Sequence, residues 1–152
     1  MKTPQEQKII TKQVSRRLEE LRPLLSQAKG VLSWIDYVRL GLGMSLTQLA
    51  ARLGVAQSSL SSSIKLEKEG RITIHKLKEI ADALDCDLVY GFVPRKKLED
   101  IIHDQAVKKT TSLMAEAETH MSLEDQKVML DKSERLKDLV EERIYSKYLW
   151  DK

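Results

Sequence analysis

The sequence has little cysteine, few aromatics and few turn formers. Cys86 is the only cysteine in 152 residues. A lone cysteine excludes an intrachain disulfide and a multi-cysteine zinc site, and its expected place is as a small buried residue. Aromatic residues make up 5% of the chain, with Phe92 the only phenylalanine. The six glycines and three prolines are few for an all-β protein. No apolar run reaches the length of a membrane span. The opening MKTPQEQKII has no apolar signal-peptide core. The expectation is a soluble, cytoplasmic protein. Helix formers dominate what remains, with 41% apolar and 32% charged residues, so a mainly helical fold is expected.

Charge is unevenly spread. Residues 1–30 carry 7 basic and 3 acidic groups, net +4; residues 31–94 carry 7 of each; residues 95–152 carry 12 and 13, net −1. A basic N-terminal arm beside a neutral centre suits a nucleic-acid partner. The same boundaries give three expected regions. Residues 1–30 form an N-terminal helical extension, 31–94 a central domain, and 95–152 a C-terminal helical extension.

In the first region Val14, Leu18, Leu21 and Leu25 recur at helical spacing, with a disturbance near Pro23. Ser33 can cap a helix carrying Trp34, Ile35, Val38 and Leu42. Ser45-Leu46-Thr47-Gln48 is a capping box, with Leu46, Leu49, Ala50 and Leu53 as the buried stripe. Gly54 stops that helix in a left-handed conformation. The serine-rich QSSLSSSI (Gln57–Ile64) follows, then a helix with Ile74, Leu77, Ile80, Ala81 and Leu84 on one face. Residues Leu88–Val93 have β preference, and Pro94 ends the run. A solitary strand needs a partner, which predicts a homodimer joined through Leu88–Val93. Beyond Pro94, Leu98, Ile102, Ala106, Thr110 and Leu113 make one helical stripe. Ser122 with Asp125 opens a last helix carrying Leu136, Val140, Ile144 and Tyr148.

A capped helix, a glycine turn, a short second helix with Leu60 facing inward and another apolar helix form a coupled set of constraints. Ala50 is small where the two helices approach. The set resembles the phage-repressor-like, Xre/Cro-type helix-turn-helix family of DNA-binding domains. The fold class expected is therefore a mainly α, phage-repressor-like helix-turn-helix bundle, with one short β-strand and helical N- and C-terminal extensions. The resemblance makes Gln57 to Lys65 the recognition helix. Gln57, Ser58, Ser61, Ser62 and Lys65 then face outward, with Ser59 at the edge toward a phosphate. Glutamine can bond adenine through N6 and N7, serine can serve bases or phosphates, and Lys65 supplies charge. Gln48 has two readings, a capping-box amide or a phosphate contact, and stays among the DNA-contact candidates. Arg52 and Arg71 are further phosphate candidates. Leu46, Ala56 and Ser63-Ile64 depart from the family pattern, which leads to a recognition helix expected to fray or shift at its far end.

The segments RRLEELRPL, LTQLAARLGVAQSSL, LDCDLVYGFVPRKKLED, HMSLEDQ and LWD are also similar to the family called mobile mystery protein A. That resemblance implies an autoregulatory, antitoxin-like transcriptional regulator partnered with a Fic-domain enzyme. The alternative it implies is a protein-interaction module that binds and restrains such an enzyme through residues 95–152 and the N-terminal helix. The intact Fic-inhibitory motif is absent: Ser15 to Glu19 and Ser112 to Glu116 are followed by Glu20 and Ala117. His75, His103 and His120 lack metal-ligand spacing, and no catalytic triad or carboxylate pair stands in a recognisable context. No enzyme activity, metal or cofactor is expected.

Overall fold

The computed structural model describes residues 2–121 and 132–151. Its helices are α1 (Pro4–Glu19), α2 (Arg22–Gln27), α3 (Trp34–Gly41), α4 (Leu46–Leu53), α5 (Gln57–Lys68), α6 (Ile74–Ala83), α7 (Leu98–Met121) and α8 (Lys132–Arg143). The expected mainly helical fold is the one observed. The chain divides into two compact units: residues 24–91, and residues 1–23 together with 92–152. The expected cap of the last helix at Ser122 and Asp125 lies outside the described residues.

In the unit of residues 24–91, helix ends follow local chemistry. Ser33, Ser45 and Thr73 each place a side-chain oxygen on a backbone N–H of the following first turn. The Ser45–Gln48 capping box forms in both directions. Gly54 takes the left-handed conformation, φ 68°, where a side chain would clash with its own backbone. Ile35, Leu49, Ala50, Leu60, Ile64, Ile80 and Leu84 then close one core across α3 to α6. Complete burial of Leu60 contributes roughly 2 kcal/mol.

The unit of residues 1–23 and 92–152 has a second core, of Ala106, Val140 and Leu149. Here α7 packs on α1 and on α8. The face α1 turns inward is not the apolar stripe read from spacing. Thr11 and Ser15 are buried, while Val14 is 43% exposed. The reason is the start of α7: the N–H of Leu98, its first residue, donates to Ser15 Oγ at 3.3 Å. A small polar residue on α1 thus caps a helix 83 positions later. The last expected stripe also shifts. Tyr145 takes a positive φ of 66°, the chain turns after α8, and Leu149 is buried in place of Tyr148.

Two further expectations are corrected. Cys86 is exposed, because Asp85 turns left-handed (φ 58°) and carries the chain off the buried face of α6. Leu88–Val93 lies in neither a helix nor a strand, and no strand occurs among the described residues. Strand preference needs a ladder partner, and residues 87–93 make no backbone hydrogen bond among the described residues. Val89, Tyr90 and Phe92 are 77%, 70% and 86% exposed.

Candidate nucleic-acid interface

The surface of interest is α5 and its junction with α4. Leu60, Ser63 and Ile64 are buried, while Gln57, Ser58, Ser59, Ser61, Ser62 and Lys65 are exposed. The exposed positions recur at helical spacing, so the serines are one thin polar face of a helix. Five serines in a helix cost up to about 2.5 kcal/mol relative to alanine. Burial of Leu60 and Ile64, worth roughly 2 kcal/mol each, offsets that cost.

The far end of α5 is more ordered than its sequence suggests. The helix continues to Lys68. Ser63 is tolerated inside because its hydroxyl donates to the Ser59 carbonyl at 3.0 Å, one turn back. Beyond it, Glu67 reaches α3: its carboxylate accepts from the Ser33 hydroxyl, from Trp34 N at 2.8 Å and from Ile35 N at 3.4 Å. A negative charge on the open N–H groups of a helix start is favourable. Glu67 therefore ties the end of α5 to the beginning of α3 and fixes the angle at which α5 is presented. Spacing alone could not reveal this, since the partners are 32 to 34 residues away.

The near end is arranged differently. Ala56, extended at the N-cap, supplies no side-chain cap. Gln57, the first residue of α5, accepts a hydrogen bond on Oε1 from the Thr47 hydroxyl of α4, at 3.1 Å. Thr47 had no sequence signal beyond its place inside the capping box. Its contact orients the Gln57 amide, and Nε2 has no partner among the described residues. Gln48 is engaged as a cap: its Oε1 accepts from Ser45 N at 2.7 Å. The amide nitrogen of Gln48 has no partner among the described residues.

Cations around this face are largely matched by acids. Lys65 approaches Glu69 at 4.0 Å, Arg71 lies 3.5 Å from the same carboxylate, and Lys68 pairs with Asp36 at 3.3 Å. Such exposed pairs are weak and exchange readily for phosphate. Arg52 donates Nε to the Ala83 carbonyl at 2.8 Å, which ties α4 to α6. Lys76 pairs with Glu79 at 2.9 Å, and that bond holds the Glu79 carboxyl below its ordinary value.

The helix order, the left-handed glycine between α4 and α5 and the polar outer face of α5 make a helix-turn-helix. A family model described as Helix-turn-helix (HTH_3) matches residues 35–90. Residues 35–90 are an Xre/Cro-type helix-turn-helix domain. No curated protein and no solved structure matches the chain. In the helix-turn-helix domain α4 and α5 are the paired helices, and α3 and α6 close the core behind them. Domains of this family bind DNA. None of the described helices is long and apolar enough to cross a membrane.

Proposed function

We propose that the protein is a sequence-specific DNA-binding transcriptional regulator, autoregulatory and antitoxin-like, that lays α5 in the major groove. The observation that carries this reading is the exposed face of α5, polar along its length and seated on a core by Leu60 and Ile64. Gln57 reads a base edge through its oriented amide. Ser58, Ser61 and Ser62 make close, less selective contacts, and Ser59, Lys65 and Gln48 meet phosphates. Gln57→Ala should weaken binding to the chain's own upstream DNA by about tenfold in a mobility-shift assay, with non-specific binding unchanged. Equal loss on both DNAs would remove base reading from Gln57.

The reading includes a homodimer. Within Leu88–Val93, which carries no charge, Val89, Tyr90 and Phe92 are exposed, and the segment makes no backbone hydrogen bond among the described residues. Two copies of such a segment match each other about a two-fold axis. Two recognition helices about 34 Å apart would then meet successive turns of one DNA face.

A second reading concerns the other unit. The helix-turn-helix model does not extend over residues 1–23 and 92–152. Its helix α1 leaves Ile9 and Val14 on the surface. These features favour a protein partner, for which the resemblance to mobile mystery protein A suggests a Fic-domain enzyme. Co-expression should then capture that enzyme on the full-length chain, and Ile9→Asp with Val14→Asp should release it. Absence of capture by the wild-type chain would end this reading.

A further inference from the structure

A groove of about 360 Å³ lies in the unit of residues 1–23 and 92–152. It is bounded by Arg95 and Lys96 before α7, by Ile101, Asp104 and Lys108 on one face of α7, and by Trp150. It is shallow and open to solvent. Its walls are mostly apolar.

Trp150 is the aromatic wall. Here the core position goes to the neighbour, Leu149, at 3% exposure, while Trp150 stays 61% exposed. Yet the turn that carries it is held on both sides. Gln105 Nε2 donates to the Leu149 carbonyl at 3.1 Å, and Lys109 Nζ donates to the Asp151 carbonyl. The indole is therefore presented at the groove from an anchored turn and is not required to fill the core.

Charge at the groove is one-sided. Asp104 is already committed to Lys96 at 2.6 Å, and this bond lowers the Asp104 carboxyl and raises the Lys96 ammonium. Arg95 and Lys108 have no acidic partner among the described residues. Two uncommitted cations beside an aromatic plane and an isoleucine make a site for an anion with a flat apolar body.

We propose that this groove binds a small planar anion, a ring stacked on Trp150 with its carboxylate or phosphate on Arg95 and Lys108. The ring excludes water from the cations and strengthens their hold on the anion. Arg95 can grip two oxygens at once, whereas Lys108 acts as a point charge. The site is independent of the DNA-binding reading, and its test needs no DNA.

The probes are benzoate and adenosine 5′-monophosphate, which separate a carboxylate source from a phosphate source. Cyclohexanecarboxylate keeps the charge and loses the plane. The chain has two tryptophans, so Trp34→Phe leaves Trp150 as the sole indole reporter. Titration calorimetry on the wild-type chain gives the same constant without that substitution. Saturable binding of at least one planar probe, with Kd of about 1 mM or tighter, is expected. Arg95→Gln with Lys108→Gln should weaken it about tenfold, and cyclohexanecarboxylate should bind about tenfold more weakly than benzoate. No saturable binding of either planar probe up to about 10 mM would overturn the proposal. So would binding unchanged in the Arg95→Gln, Lys108→Gln variant with its circular dichroism intact, or equal affinity for the non-planar acid.

Discussion

The Thr47 hydroxyl takes one lone pair of the Gln57 side-chain oxygen, so the proposed base-reading amide is held in a set orientation. A flexible glutamine loses rotamer freedom when it binds a base, and a pre-oriented one loses less. Thr47→Val keeps the shape and removes the donor. It should weaken specific binding about fivefold, from the loss of about 1 kcal/mol, and leave binding to unrelated DNA unchanged. A mobility-shift titration on both DNAs reads this directly; an unchanged specific constant would mean that Gln57 needs no such support. Thr47 was silent in the sequence because its capping box already accounted for the hydroxyl and amide on either side of it. The exposure of Gln57 at the first position of α5 was legible, since Leu60 and Ile64 set which face of that helix turns inward.

Among the elements, α5 combines a weak start with a tied end. Ala56 sits with φ −69° and ψ 147°, the extended conformation in which a serine hydroxyl would reach the N–H groups of the first turn. Ala56→Ser should therefore stabilise the chain by about 1 kcal/mol, read as a higher midpoint in urea. The far end stays helical because Glu67 binds the start of α3, a contact that periodicity does not encode. Helix α7 begins in a comparable way. The Glu99 carboxyl is held below its ordinary value, first by its own backbone N–H and then by the Ser15 hydroxyl. A depressed carboxyl contributes stability above its unfolded value, and that contribution is lost as pH falls through the folded value. The stability gap between wild type and Glu99→Gln, measured by urea unfolding, should thus be full at neutral pH. It should shrink as the pH falls below the ordinary carboxylate range, near 4. A gap independent of pH would mean that shape, and not charge, matters at this position.

At the scale of the molecule, the proposed homodimer rests on the segment Leu88–Val93. Phe92, at 86% exposure, gains nothing from remaining in water. Phe92→Asp should convert a dimer of the full-length chain to a monomer by light scattering and weaken operator binding by about tenfold or more, since each half-site is then held alone. A wild-type chain that is monomeric at all concentrations would remove the two-fold geometry from the proposal. The amino-acid sequence by itself determined the helical class, the Ser33, Ser45 and Gly54 boundaries and the buried stripe of Leu49, Ala50 and Leu60. These follow from capping and periodicity, which act within a few residues of each other. Only the tertiary structure decided that Ser15 caps α7, that Glu67 anchors α5, that Thr47 meets Gln57 and that Trp150 stays at a surface while Leu149 goes inside. Each of those outcomes depends on which polar group another element brings within hydrogen-bond reach, or on which side chain a turn rotates toward the core. No pattern local to one helix carries that information.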